Sequence, residues 1–241
     1  MVTKRVHKRQ LLLIEDDYVR QVLEYTLAHY VNEHKLDLHA IIVEGNHVHR
    51  VDTDPKGNRP DFLRDFHSFV ARQLNRYYKE GDAFFSGKQT NIVDNESAND
   101  ILQRIVYTMG NPVADGIERE GKNHKGTRLR WPQPDRVIKR PEGFWRSREQ
   151  GGKAPDTVVL RFTRPPGFEE LSDEELDQLL ESRILAYEKH HRETRDAAGK
   201  PFRCDVTNKL ADPRSFPKSP HKLFGLAPLI GAKIKEQRIA A

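Results

Sequence analysis

Apolar residues recur along the first half of the chain with two different periods, and the switches between them mark its elements. Residues 3–14, TKRVHKRQLLLI, predict a strand with a basic end. Asp16-Asp17 then opens a helix in which Val19, Val22, Leu23, Thr26, Leu27 and Tyr30 form one apolar face through about His34. Two β-rich stretches follow, LDLHAIIVE (36–44) and HVHRVDTD (47–54). The Gly45-Asn46 pair between them predicts a two-residue hairpin, because both residue types tolerate positive φ. Pro60 stands near the start of a second amphipathic helix, with Phe62, Phe66, Phe69, Val70, Leu74 and Tyr77 inward and Arg64, Arg72, Arg76 and Lys79 outward. DAFFSGKQTNIVD (82–94) reads as a further strand, bulged at Gly87. Ser97 or Asn99 caps a third helix with the stripe Ile101, Leu102, Ile105, Val106 and Met109. The order β-α-β-β-α-β-α predicts an α+β fold, an antiparallel-rich central sheet with helices on its faces.

Past about residue 120 the pattern changes. Residues 121–156 are basic, rich in Pro and Gly, and interleaved with Trp131, Phe144 and Trp145, a composition that predicts a linker or extended arm between a domain at 1–120 and an extension at 157–241. In that extension TVVLRFTRPPGF offers one strand ended by Pro165-Pro166. A long helix follows, with Ser172 and Glu175 as a capping box and Gly199 as its stop, and the tail is basic.

Composition narrows the classes of partner. The chain has 241 residues, 36% hydrophobic and 32% charged, with a net charge of +5, which points to an anionic partner such as nucleic acid. Its single cysteine, Cys204, excludes an internal disulfide and suits a reducing compartment. No apolar run approaches the roughly 20 residues that span a bilayer, and the N-terminal stretch MVTKRVHKRQLLL has no cleavage-site pattern of a signal peptide, so the expectation is a cytoplasmic protein without membrane contact.

The stretch EGNHVHRVD carries the first chemical signal. On a strand, residues i and i+2 share a face, so His47 and His49 project side by side and two imidazole nitrogens can meet one metal ion. Val48 points the other way. With the turn at Gly45-Asn46, Glu44 lies opposite His47 and Ile42 opposite His49. The same pair also fits a half-exposed strand that merely carries histidine twice. Two other His-x-His chemistries fail: the binuclear zinc hydrolases need an aspartate one residue earlier than Asp52, and the barrel amidohydrolases need eight strand–helix units.

The third helix supplies the second signal. Tyr107 is off the apolar stripe, on a polar row with Gln103 and Asn111, each four residues away. Asn111 precedes Pro112, which disfavours α conformation at Asn111, so the asparagine caps the helix or begins a short next turn. In the other reading, compatible with the first, its amide oxygen joins His47 and His49 as a third ligand, with Tyr107 one turn away as nucleophile.

Asn-His-Val-His after a strand, then a long helix, a Phe/Gly-containing strand and YTMGNPVADG resembles the REP-associated tyrosine transposases, single-tyrosine members of the HUH single-strand DNA nucleases. The resemblance covers roughly residues 3–118. It implies the ferredoxin- or RRM-like sheet of those nucleases, His47 and His49 as metal ligands, Tyr107 as covalent nucleophile and Asn111 at the position of a further ligand. Glu44 and Gln103 are candidates for a supporting shell around the metal. The chain departs from the family at Glu44-Gly45, where Met-Pro or Met-Ser is common, and at Phe84-Phe85-Ser86-Gly87-Lys88, where Trp with a following Gly and Arg is common. These differences bear on DNA-end preference more than on catalysis.

A divalent cation on imidazoles acts as a Lewis acid on phosphate oxygens, and two nitrogen ligands lean the choice toward Mn²⁺ over Mg²⁺ on coordination grounds, with cellular abundance favouring Mg²⁺. The resemblance implies a 5′-phosphotyrosine intermediate on single-stranded or hairpin DNA. Cations placed to meet phosphates are Arg5, Lys8, Arg9 and Lys88, with Arg128, Arg130, Arg136, Lys139 and Arg140 in the arm, where Trp131 or Trp145 is placed to stack on bases. The alternative for the arm is a solvated linker. The sequence leaves open whether the protein works as a monomer or a dimer.

Overall fold

The computed structural model describes residues 1–14, 16–87, 90–94, 97–144, 154–206 and 212–215. Strands β1 (Val2–Arg5), β2 (Asp37–Glu44), β3 (His47–Thr53), β4 (Asn91–Ile92) and β5 (Arg128–Arg130) form one antiparallel sheet in the order β4-β1-β3-β2-β5. Helices α1 (Asp17–His34) and α2 (Arg59–Tyr78) pack on each other, and α3 (Ala98–Ala114) packs on β2 and β3. Successive residues of β3 point to opposite faces. Arg50 reaches the Phe62 ring on α2, while His49 meets Tyr107 on α3. The sheet therefore separates α2 from α3. A second sheet of two strands, β6 (Arg136–Lys139) and β7 (Thr157–Leu160), covers the outside of α1, and helix α4 (Asp173–Ala197) lies along α3. A four-residue helix, α5 (Arg203–Val206), follows it.

The hairpin forms as its pattern predicts. Glu44 pairs with His47, Val43 with Val48 and Ile42 with His49. Its turn is closed differently, because neither Gly45 nor Asn46 takes a positive φ. Gly45 sits in a tight spot instead: a Cβ there would come 3.1 Å from the Leu11 side chain, which would have to give slightly. Helix α1 starts at the expected Asp16, whose carboxylate accepts from the Val19 N–H at 3.0 Å. Its burial does not stop at one face, because β6 and β7 cover the other; Glu24 and Tyr25 are buried as well as Val22 and Leu23. Buried Glu24 is neutralised by Arg136 at 3.1 Å and accepts from the Thr127 hydroxyl at 3.1 Å.

Several elements are shorter or longer than the pattern predicts. β1 ends at Arg5 instead of reaching residue 14, because the chain turns through His7–Arg9 with Lys8 and Arg9 at φ 51° and 61°. Among its described residues, the strand expected at 82–94 shrinks to β4 and a single bridge between Val6 and Phe85. Phe84 and Phe85 are both buried, and two consecutive inward side chains break the alternation that a regular strand requires. Tyr77, expected inward, is 44% exposed and stacks on Tyr18 with ring centroids 4.6 Å apart. Ser97 caps α3, accepting from the Asp100 N–H, and the helix continues through Pro112, so Asn111 is an interior residue and not a cap.

The stretch 121–156, expected as a linker or arm, is built into the fold where it is described. β5 hydrogen-bonds to β2, with Arg128 opposite Ile42 and Arg130 opposite Ala40. β6 pairs with β7 across the expected boundary at 157. The capping box of α4 is present, and Leu176, Leu180 and Ile184 form its buried stripe. Tyr187 packs so closely on α3 that a Cβ at Gly110 would lie 2.4 Å from its ring. Lys88, Trp145 and the basic tail beyond residue 215 lie outside the described residues. Among the described residues no helix is long and apolar enough to cross a membrane.

Candidate metal centre and tyrosine

The hairpin and α3 bring His47, His49, Tyr107 and Asn111 together beneath the sheet. The two imidazoles meet edge to face with centroids 4.6 Å apart, and the Tyr107 ring stands perpendicular to His49 at 5.4 Å. Both histidines are almost fully buried, and burial is the main cause that lowers their pKa values. His47 falls well below the usual histidine range, helped by His49, Arg5 and Arg9; His49 falls to about 3, helped by Arg5. Both rings are therefore neutral at neutral pH, the form that offers a lone pair to a metal.

The hydrogen bonds decide where those lone pairs point. His47 Nδ1 lies 2.7 Å from Asn46 Oδ1, an oxygen that can only accept, so Nδ1 carries the proton. Its Nε2 lone pair then faces Glu44 Oε2 at 3.5 Å. Two acceptors at that range need a proton or a cation between them. His49 Nδ1 is held by the Thr3 hydroxyl at 2.8 Å, and its Nε2 is buried with no partner. The Asn111 amide donates to Glu44 Oε1 at 2.9 Å, which leaves Asn111 Oδ1 buried and unpaired. A buried polar atom left unpaired costs on the order of 1–3 kcal/mol, and here two such atoms, His49 Nε2 and Asn111 Oδ1, belong to the residues that touch His47 and Glu44.

Asp115 completes the cluster. One ligand atom each from Glu44, His47 and Asp115 falls within 4.8 Å of the others, an arrangement able to hold a metal ion. Burial and the Asp115 carboxylate raise the Glu44 pKa, and burial raises that of Asp115, so the pair retains a proton that a cation would displace. The Tyr107 phenol is pushed up by burial, then by Asp115 and Glu44, and is protonated at neutral pH. Tyr187 closes the far side of Tyr107, with centroids 6.4 Å apart.

Of the residues singled out from sequence, His47, His49, Tyr107 and Asn111 are neighbours, and of the two histidines only His47 has a ligand atom within 4.8 Å of those of both Glu44 and Asp115. Glu44, expected as support, touches His47 and Asn111 directly. Gln103 is exposed on α3 and makes no hydrogen bond to the cluster among the described residues. Asp115 was missed although its spacing shows it: the row Gln103, Tyr107, Asn111 reaches Asp115 after four more residues. Thr3 and Tyr187 carry no comparable local signal.

The arm does not present the surface expected of it. Arg128 donates to the Met109 carbonyl at 2.8 Å and pairs with Glu188 at 3.2 Å. Arg130 pairs with Asp177 and Glu181, Arg136 with Glu24, and Arg140 with Asp156. Trp131 is only 7% exposed, with Arg164 over its ring, so it is not free to stack on a base. These side chains are committed to holding β5, β6 and α4. Lys139, Lys8 and Arg5 are exposed and Arg9 is half-buried. No family model, curated protein or solved structure matches this chain.

Proposed function

We propose that the protein is a metal-dependent, single-strand DNA transesterase in which Tyr107 is the nucleophile, a HUH-type nuclease of the transposase kind. The observation that carries this reading is the meeting of two neutral imidazoles and a phenol beside Glu44, His47 and Asp115, whose ligand atoms lie within 4.8 Å of one another. A protein that only binds DNA gains nothing from orphaned acceptors beneath its sheet. The strand order β4-β1-β3-β2 around a β-α-β-β-α-β core supports the ferredoxin-like form expected of such enzymes.

His47 and His49, with Glu44, Asp115 and the Asn111 amide oxygen as oxygen donors, would hold a divalent cation. The imidazoles suit Mn²⁺, and the carboxylates extend the fit to Mg²⁺. Such a cation would supply Lewis acidity at the scissile phosphate, an effect worth several kcal/mol. The chain's own part is to fix the phenol. Tyr107 Oη attacks phosphorus, the bond from phosphorus to the 3′ oxygen breaks, and the phenolic proton leaves as the 3′-hydroxyl forms. One phosphate ester replaces another, so the strand can be rejoined without ATP.

Incubation of the full chain with labelled single-stranded DNA and Mn²⁺, followed by denaturing electrophoresis, tests the reading. A covalent protein–DNA band that needs metal and disappears in Tyr107→Phe is the expected result. Binding indifferent to EDTA with no adduct would point to a non-cutting binding module instead. Released product without an adduct would mean hydrolysis by water.

A further inference from the structure

Most arginines packed around this fold are tied to carboxylates. Arg50 and Arg59 share Asp52, Arg128 holds Glu188, Arg130 holds Asp177 and Glu181, and Arg161 holds Asp135. Two arginines beside the candidate site differ. Among the described residues, neither Arg5 nor Arg104 has a side-chain hydrogen bond or an ion pair.

Their positions are set by backbone geometry. Arg5 is the cross-strand partner of His47, and on β1 it shares a face with Thr3, whose hydroxyl holds His49. Arg104 stands three residues before Tyr107 on α3, hence one turn away on the same side of the helix. The two approach the tyrosine from different elements. Arg5 is exposed, while the Arg104 Nε is buried and has no acceptor. A buried N–H of a charged group left unmatched is costly, and an incoming anion would match it.

The site also needs positive charge. The negative charge left on the Glu44–Asp115 pair opposes a phosphodiester brought to Tyr107 when no cation is bound, and the guanidinium is the side chain whose planar fork fits phosphate oxygens. We propose that Arg5 and Arg104 form a phosphodiester subsite flanking Tyr107, which grips the backbone of a single strand on either side of the attacking hydroxyl. This deepens the transesterase reading and rests on it. Both guanidinium groups also oppose the two carboxylates in setting the tyrosine's acidity, since each favours the phenolate.

The test is fluorescence anisotropy with a short, labelled single-stranded oligodeoxynucleotide across a salt series, in the Tyr107→Phe background so that nothing is cut. Removing one cation from its phosphate should lower the slope of log affinity against log salt by roughly 0.7. Arg5→Gln and Arg104→Gln should each show that decrease with weaker binding, while Arg161→Gln, at the exposed Asp135 pair, should not. Arg104→Lys keeps the charge and should keep the slope, which separates removal of the charge from damage to the helix. In the Tyr107 protein, both Gln variants should also slow adduct formation. Folded Gln variants that bind with unchanged affinity and slope would overturn the subsite, even if the adduct forms. Slopes that fall where Tyr107 gives no adduct would uphold the subsite and sink the transesterase reading alone.

Discussion

The two faces of strand β3 bury polar groups on opposite terms. Toward α2, Asp52 is fully buried, yet each of its oxygens receives an arginine Nε, from Arg50 and from Arg59 at 2.9 Å. Their charges hold the Asp52 carboxyl below its usual range against the opposing effect of burial. The one spare Arg50 nitrogen belongs to a guanidinium lying 4.2 Å over the Phe62 ring. Toward α3, His49 Nε2 and Asn111 Oδ1 are buried without partners, in residues that touch His47 and Glu44 of the Glu44, His47 and Asp115 group. A buried network that closes on itself holds a fold together. One that leaves acceptors facing each other is shaped for something from outside.

The largest effect should come from breaking the closed face. Asp52→Ala would leave buried Arg50 without a carboxylate and half-buried Arg59 with only the exposed Asp94, and should cost about 3–5 kcal/mol of stability, read by chemical denaturation. If it costs less than His47→Ala in metal-free protein, the contrast between the faces fails. On the open face a cation should add stability. At a free Mn²⁺ concentration of 100 Kd the gain should be roughly 2.7 kcal/mol, seen as a rise in Tm that His47→Ala abolishes. Closing the gap beside Tyr107 should matter somewhat less: Gly110→Ala drives a methyl into the Tyr187 ring and should cost about 1–3 kcal/mol, with slower adduct formation as α4 shifts. A separate, pH-dependent effect belongs to His67 on the α2 side, which packs against Phe66 and Phe85. Burial, then Lys4 and Arg50, lowers its pKa to about 3. With an unfolded value near 6.5, its neutral form contributes stability that is intact above pH 6.5 and is lost as pH falls toward 3. His67→Gln should flatten that part of the acid-unfolding curve.

Local features were legible in the chain. The hairpin register follows from a two-residue loop and strict alternation, and that is enough to set His47 beside His49. The α3 stripe likewise placed Tyr107 off the core. Distant partnerships were not legible. Arg130 looks like a free cation in a Pro-rich stretch until Asp177 and Glu181 arrive from a helix 47 and 51 residues later. Nor could the pattern of α1 reveal a second covering sheet, since β6 and β7 lie more than a hundred residues further on. Asn111 was open to two readings because the residue before proline resists α conformation. The bond to Glu44 and the packing of α3 keep it helical.

The close seating of α4 on α3 has a bearing on how the chain can be cut down. The obvious minimal fragment, ending at residue 120, would lose the ring that backs Tyr107 and the strand that closes the β2 edge. It would carry an open line of backbone donors and acceptors along β2 and a bare apolar flank on the tyrosine's own helix, both invitations to self-association. The second half of the chain is thus an outer wall for the first half's sheet and third helix.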